Sequence, residues 1–459
     1  MIVLFFIIFI FFNNLYASEI IDQISEKFPQ AIYSIEISKT DGEKILSYNS
    51  DKLLVPASSL KAITTLYAFD KLGYDYKFKT EIAYSGKIHR GYIYGDLYVV
   101  GGGDMTLGSE NFGSGIEDVF KVIVDILKKN DIKGIKGDLC GYCSLNDWQH
   151  PSWEWQDIGN YYAARVTSLA INDNSYKIYF KTSDKLGGPA FIEKIEPDTG
   201  LIFENYVVTG KEGMGDNSYI YSVPFSNKAI IKGEIAKTEG LFVVKGSMID
   251  PSSFFARNLF VYLKKNGIKI KGWKNNCKKN SNLNQIGVIY SPPLYEIAEI
   301  TNKKSFNFYA ESLLRFSGIK EDKIGLEENL KGLKSFLNSI GVNRFKIVDG
   351  SGLSRQNIIS CGDFIKILNY ALSKPYFKYY YNSLIFPGDD MAKGHIKKFG
   401  LRRNLKLRIK SGSLSGVRSY VGYLDSNKNG RLSFCFMINN YTTPPSEIDD
   451  FFEDILANF

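Results

Sequence analysis

Apolar and polar residues alternate over residues 31–37 and again over 44–48, with Thr40-Asp41-Gly42 between them. That period of two predicts a hairpin of two strands, each turning every second side chain toward a core. The period then changes. Leu60, Ile63, Leu66, Tyr67 and Phe69 supply the apolar positions of a helix that Gly73 ends. At the far end of the chain, 405–410, 419–424 and 432–438 read as three more strands. The last two are joined by Asp425-Ser426-Asn427-Lys428-Asn429-Gly430, a strong hairpin signal. A closing helix opens at Ser446 and buries Ile448, Phe451, Phe452, Ile455, Leu456 and Phe459 at helical spacing. Two strands at the start, three at the end and the helices beside them predict one antiparallel five-stranded sheet flanked by helices, an α/β (α+β) fold. Such a sheet draws the two ends of the chain together and leaves the middle as insertions.

The middle reads as inserts. A helix over 119–129 is followed by a strand over 132–139. The order recurs as a helix over 256–265 and a strand over 268–270, with Leu127-Lys-Lys-Asn-Asp-Ile-Lys-Gly echoed by Leu263-Lys-Lys-Asn-Gly-Ile-Lys-Ile. Two copies are too few for a solenoid. Residues 176–245 are rich in alternating β-formers and turns. The expected division is a discontinuous catalytic domain over 18–82, 147–172 and 283–459, an inserted α/β domain over 83–146 and an inserted mostly-β domain over 173–282.

Composition narrows this picture. The 459 residues are 44% hydrophobic, 23% charged and 14% aromatic, which excludes a disordered chain. Met1 to Ala17 carries no charged side chain, and Ile2 to Phe12 is unbroken apolar sequence. This predicts a signal peptide over 1–17, cleaved after Ala17, and export to a periplasm or cell envelope. No Lys or Arg precedes the apolar run, so a retained anchor is the alternative. The net charge of +8 comes from scattered Lys and Arg. Export excludes nucleic acid as a partner, and a basic surface suits anionic wall polymer or peripheral contact with a membrane. Of five cysteines, Cys140 and Cys143 form a C-x-x-C without a second pair or a histidine cluster. They read as a disulfide or as two buried thiols, and Cys277, Cys361 and Cys435 as structural. No metal or cofactor is expected. Gly101 to Gly103 lack the spacing of a phosphate loop and read as a turn.

Candidate chemistry begins at Pro56-Ala57-Ser58-Ser59-Leu60-Lys61. A serine and a lysine three residues apart at a helix start share one face. A serine hydroxyl is a poor nucleophile until a base takes its proton, and a lysine amine at this spacing is such a base. Taken alone, roughly a couple of Ser-x-x-Lys matches arise by chance in a chain of this length. The bland reading is a helix cap with a solvated lysine. Two further motifs weigh against it: Ser305-Phe306-Asn307, and Lys410-Ser411-Gly412 after a strand. Ser-x-x-Lys, Ser-x-Asn and Lys-Ser/Thr-Gly, in this order, form the signature of penicillin-recognising serine enzymes.

With these motifs in view, the chain resembles the class C low-molecular-mass penicillin-binding proteins, the D-alanyl-D-alanine carboxypeptidase/endopeptidase family. The stretches that carry the resemblance are PASSLKAITT at 56–65, GDLYVVGGGDMTL at 95–107, WEWQDIGNYYAA at 153–164, SPPLYEIAEITNKKSFNFYAESLLR at 291–315, VDGSGLSR at 348–355 and IKSGSLSGVRSYVGYL at 409–424. The resemblance implies the penicillin-binding-protein/β-lactamase-like transpeptidase fold. It implies that Ser58 attacks the penultimate D-Ala carbonyl of a peptidoglycan stem peptide ending in D-Ala-D-Ala, and that β-lactams acylate the same serine. Lys61 would be its base, Ser305 a proton relay and Asn307 a group orienting Lys61. Burial and a nearby second cation would both lower the pKa of Lys61; Lys410 is the natural second cation, and it would hold the substrate carboxylate with Ser411 and Ser413. Gly412 lies between them, and the N–H groups of Ser58 and Ser413 would form the oxyanion hole. Ser411 stands where the family more often has threonine. Asp157, Tyr162 and Arg355 would recognise the substrate side chain. The rival expectations are a β-lactamase and a catalytically silent penicillin- or wall-binding protein.

Overall fold

The computed structural model describes residues 19–223, 226–274, 277–278, 282–392 and 394–459. The expected leader over 1–17 lies outside the described residues. Contacts divide the chain into two units, one of residues up to Asp75 together with Leu294–Phe459, the other Tyr76–Pro293.

The first unit is built on a five-stranded antiparallel sheet. Its strands are β1 (Ile32–Lys39), β2 (Lys44–Tyr48), β3 (Leu407–Leu414), β4 (Val417–Ser426) and β5 (Gly430–Asn439), in the order β3-β4-β5-β1-β2. The expected five strands are present, and β1 pairs with β5 from Ile32↔Asn439 to Lys39↔Leu432, so the two chain ends share one sheet. Both faces are covered. Helix α6 (Pro445–Ala457) lays Phe452 against Tyr420, Phe434 and Phe436 on one face. On the other, the Tyr423 hydroxyl donates to the Leu368 carbonyl of α5 (Cys361–Leu372), and the Ser419 hydroxyl bonds to Ser59. A sheet buried on both faces loses the in-and-out polarity of a half-exposed one. Leu432 to Asn439 is accordingly buried throughout. The remaining helices that frame the site are α1 (Leu60–Leu72), α2 (Leu294–Lys303), α3 (Asn307–Phe316) and α4 (Leu326–Ser339).

The second unit has a seven-stranded sheet and two three-stranded ones. The echoed segments are the strands Gly134–Cys143 and Lys269–Lys274, each behind a helix (Ile116–Lys129 and Pro251–Lys265) and paired in parallel with one another. They were expected in separate inserts, and they share one sheet. Segment 147–172, expected in the catalytic domain, falls in this unit.

The cysteine expectation also changes. Cys140 is bonded to Cys277, with Cα atoms 5.9 Å apart, and Cys143 is a free thiol. The reason is geometric. Three residues along a strand span about 10 Å and end on the opposite face, beyond the reach of a disulfide. The parallel pairing of Cys140 with Lys274 instead draws Cys277 alongside. Cys361 and Cys435 are buried free thiols.

Candidate active site

Ser58 sits in a single 3-10 turn, Ala57–Ser59, that leads directly into α1. This turn is fixed from several directions. The Val55 N–H donates to the Asn439 side chain at 2.9 Å, and the Asn439 amide returns a bond to the Val55 carbonyl at 3.2 Å. The Ser59 and Ser419 hydroxyls both donate to the Pro56 carbonyl. Ala57 takes φ 47°, in the left-handed region that costs a non-glycine residue about 1 kcal/mol or more. Ser305 is a second such residue, at φ 53°. Strained residues persist where the surroundings over-determine them, and both lie in this cluster.

Two glycines let backbone close around the turn. A Cβ on Gly352 would lie 1.9 Å from the Ala57 carbonyl oxygen. A Cβ on Gly412 would lie 2.4 Å from the Pro56 carbonyl oxygen, 2.4 Å from Ser419 Oγ and 2.8 Å from the Ser58 nitrogen. The glycine of Lys-Ser-Gly thus permits β3 to pass against the Ser58 N–H.

Lys61 is fully buried. Its Nζ lies 2.8 Å from Ser58 Oγ and 2.7 Å from the Ser351 carbonyl oxygen. Burial pulls its pKa down to about 7, against the carboxylates of Asp349 and Glu311, which raise it. Lys410, also fully buried, donates to Ser305 Oγ at 3.0 Å and to the Ser411 carbonyl at 2.6 Å. Burial first, and the charge of Lys61 second, push its pKa well below the ordinary lysine value. Of the two expected causes, burial is the one that lowers the pKa of Lys61, and the charge of Lys410 is not among the causes acting on it. An amine with a pKa near 7 is half neutral at pH 7, whereas a solvated lysine is neutral in about one molecule in 2,500. Lys61 can accept a proton from Ser58 on this basis.

The structure brings Ser58, Lys61, Ser305, Lys410, Ser411 and Gly412 into one cluster. Asn307 is the first residue of α3, two positions after Ser305. Ser413 Oγ accepts from Arg418 at 2.9 Å, and Arg418 is itself paired with Asp449 through two bonds of 2.9 and 2.6 Å. Arg355 donates to the Ser415 carbonyl at 3.0 Å, beside the β3–β4 turn. Asp157 and Tyr162 belong to the second unit, where the Tyr162 hydroxyl donates to Asp157 at 3.2 Å. Burial and that carboxylate raise the pKa of Tyr162. Among the described residues no group of three or more His, Cys, Asp or Glu is arranged to hold a metal, and no helix is long and apolar enough to cross a membrane.

Several residues of the cluster were not anticipated from sequence: Thr64, Glu311, Asp349, Ser351 and Ser419. Signals for two of them existed. Glu311 is an acid inside the apolar run Phe308 to Phe316. Asp349-Gly350-Ser351-Gly352 has the composition of a turn in which a carboxylate binds nearby backbone N–H groups.

The family model of the D-Ala-D-Ala carboxypeptidase 3 (S13) family matches residues 17–458. A D-alanyl-D-alanine carboxypeptidase of Actinomadura sp. (strain R39) is 25% identical over 443 residues, covering 93% of this chain and 81% of that protein. The D-alanyl-D-alanine carboxypeptidase DacB of Haemophilus influenzae is 24% identical over 441 residues, covering 92% and 88%. The crystal structure of penicillin binding protein 4 (dacB) from Haemophilus influenzae superposes with a TM-score of 0.80 at 23% identity, over 95% of this chain and 98% of that one. The same protein complexed with a β-lactam gives 0.75, also at 23% identity and over the same 95% and 98%. The fold is thus that of penicillin binding protein 4, and its sheet is the expected one. With the family model spanning nearly every residue, the chain belongs to the D-Ala-D-Ala carboxypeptidase 3 (S13) family and is a serine-type hydrolase.

Proposed function

We propose that the protein removes the terminal D-Ala of peptidoglycan stem peptides through an acyl-enzyme on Ser58, and that it also cleaves cross-links of the same chemistry. The observation that carries this reading is the 2.8 Å contact between the Ser58 hydroxyl and a fully buried Lys61 amine. Lys61 takes the Ser58 proton as Oγ bonds to the penultimate D-Ala carbonyl carbon. The N–H groups of Ser58 and Ser413 stabilise the oxyanion, each worth roughly 3 kcal/mol of barrier. Ser305, bonded to Lys410, passes its proton to the leaving amine and regains one from the protonated Lys61, which is then neutral again, and Asn307 orients Lys61 and the substrate amide. Water then hydrolyses the ester, with the same lysine as base. Lys410 meets the substrate carboxylate with Ser411 and Ser413. Arg355, whose guanidinium lies beside the β3–β4 turn, contributes to selecting the side chain of the stem peptide. The Haemophilus influenzae protein is complexed with a β-lactam, which supports β-lactam binding by this chain; the Ser58–Lys61 contact supports acylation of Ser58 by it. A wall substrate and the apolar run from Ile2 to Phe12 support export to the periplasm or cell envelope.

The test is incubation with a pentapeptide that contains diaminopimelate and ends in D-Ala-D-Ala, with benzylpenicillin hydrolysis measured in parallel. Release of D-Ala, with slow penicillin turnover, is the expected result. No D-Ala alongside rapid penicillin hydrolysis would make the protein a β-lactamase, and neither activity would make it a silent wall-binding protein. Cross-linked muropeptides as a further substrate measure the endopeptidase activity.

Gly412→Ala is expected to lower the acylation rate about 100-fold, since shifts of about 1 Å at a reacting group cost that much. Its Cβ meets two backbone atoms and the Ser419 hydroxyl. Stopped-flow acylation by a chromogenic cephalosporin checks this, and a rate within threefold of the parent would contradict the close packing of β3 on Ser58.

A further inference from the structure

We infer that two buried carboxylates, Glu311 of α3 and Asp349 of the 349–354 loop, are positioning residues that clamp this loop so that the Ser351 carbonyl holds the Lys61 amine against Ser58. The inference rests on the reading of Lys61 as the base of Ser58.

A peptide unit is planar, so fixing its N–H fixes the direction of its C=O. Two successive units of the loop are each gripped at both ends. In the unit between Gly350 and Ser351, the N–H donates to Glu311 Oε1 at 2.7 Å, and the carbonyl accepts from Thr64 Oγ1 at 2.7 Å. In the unit between Ser351 and Gly352, the N–H donates to Asp349 Oδ1 at 2.9 Å, and the carbonyl accepts from Lys61 Nζ at 2.7 Å. Thr64 and Lys61 are one turn apart on α1, so a single helix face reads both carbonyls. Glu311 Oε1 also takes the Gly350 N–H at 3.0 Å, while Oε2 is paired with Arg315 at 2.6 Å. Asp349 Oδ2 takes the Ser354 N–H at 2.7 Å. Both acids are fully buried.

The arrangement has a chemical consequence. A neutral amine has two N–H bonds and one lone pair. With one N–H spent on a fixed carbonyl, rotation about the C–N bond is restrained, and the lone pair is directed toward the Ser58 proton. The acids also act through charge. Lys61 faces Asp349, Glu311 and the cation of Lys410, and Glu311 faces Arg315. The two negative charges oppose the downward pull of burial on Lys61. Removing one therefore makes Lys61 easier to deprotonate while loosening its hook.

The test is the pH profile of Ser58 acylation by a chromogenic cephalosporin, with thermal melting as the check on folding. In Glu311→Gln the acid limb is expected to move down by about half a pH unit or more, because a nearby negative charge is lost. Its plateau is expected to fall about tenfold, because the amine is less well aimed. Thr64→Val removes a grip of the same loop without changing charge, so its plateau falls severalfold and its limb stays in place. A folded Glu311→Gln protein with the parent limb and plateau would overturn the inference, and so would an equal limb shift in Thr64→Val. If Glu311→Gln does not fold, Thr64→Val decides alone, and a plateau within twofold of the parent overturns the clamp. Lys61→Met separates the two levels. An unaltered profile there defeats the reading of Lys61 as base, whereas a limb lost in Lys61→Met but unmoved in Glu311→Gln defeats only the clamp.

Discussion

Ser58→Ala is expected to lower D-Ala release by about 10⁶-fold, the scale seen when the nucleophile of a serine peptidase is removed. Neither neighbouring serine hydroxyl can take its place. Ser59 is fully buried and turned away, its hydroxyl donating to the Pro56 carbonyl at 2.7 Å. Ser305 is bonded to Lys410, not to Lys61. What remains in the variant is substrate binding and the oxyanion donors, which alone leave a residual acceleration of about 10³ to 10⁴ over water. The fold should be unaffected, because Ser58 is only half-buried and its hydroxyl meets Lys61 rather than the core. Steady-state D-Ala release by the purified variant checks this, with its melting temperature as control. Turnover within tenfold of the parent would remove Ser58 from the nucleophile's role.

Lys61→Met is expected to slow acylation by about 10³-fold, within the range that a general base contributes. Methionine has similar length and suits a fully buried site, so loss of the proton acceptor dominates over loss of packing. The parent enzyme should carry the signature of the same group. The folded pKa of Lys61 is drawn down to about 7, and its neutral form is the reactive one. Acylation should therefore rise about tenfold per pH unit below pH 7 and level off above it. The sign follows from the chemistry, since raising the pH removes the proton that blocks the base. Single-turnover acylation from pH 5 to 9 measures the limb. A limb centred near pH 10 would mean an ordinary solvated lysine, and a limb retained in Lys61→Met would assign it to another group.

The five-stranded sheet was legible because its signals are local. Alternation over 31–37 and 44–48 and the turn Asp425 to Gly430 each lie within one hairpin, and β1, β2, β4 and β5 follow from them. β3 runs four residues beyond the strand read from sequence. Its Lys-Ser-Gly-Ser tail looks like loop, and pairing with β4 from Lys410↔Val421 to Leu414↔Val417 keeps it extended. The motif serines and lysines were legible because Ser58 and Lys61 share one helix turn and the later pair follows in a known order. What was not legible depends on partners far along the chain. The Cys140–Cys277 bond joins positions 137 residues apart and needs the parallel pairing of two distant strands. Segment 147–172 is mostly turns and short bridges, so no period marks its place in the second unit. Burial of Lys61 follows from the demand for a neutral amine, but what supplies that burial is not visible in Ser-x-x-Lys. It arises where α1 meets the 349–354 loop, and the acids that temper it sit on other elements.

Ser58 Oγ is the atom that becomes acylated in the proposed reaction. Mass spectrometry of the protein treated with benzylpenicillin, intact and then as proteolytic peptides, tests it most directly. The predicted result is one added penicilloyl group, carried by the peptide that contains Ser58 and absent from Ser58→Ala. An adduct mapped to any other residue, or no adduct on protein that releases D-Ala, would contradict it.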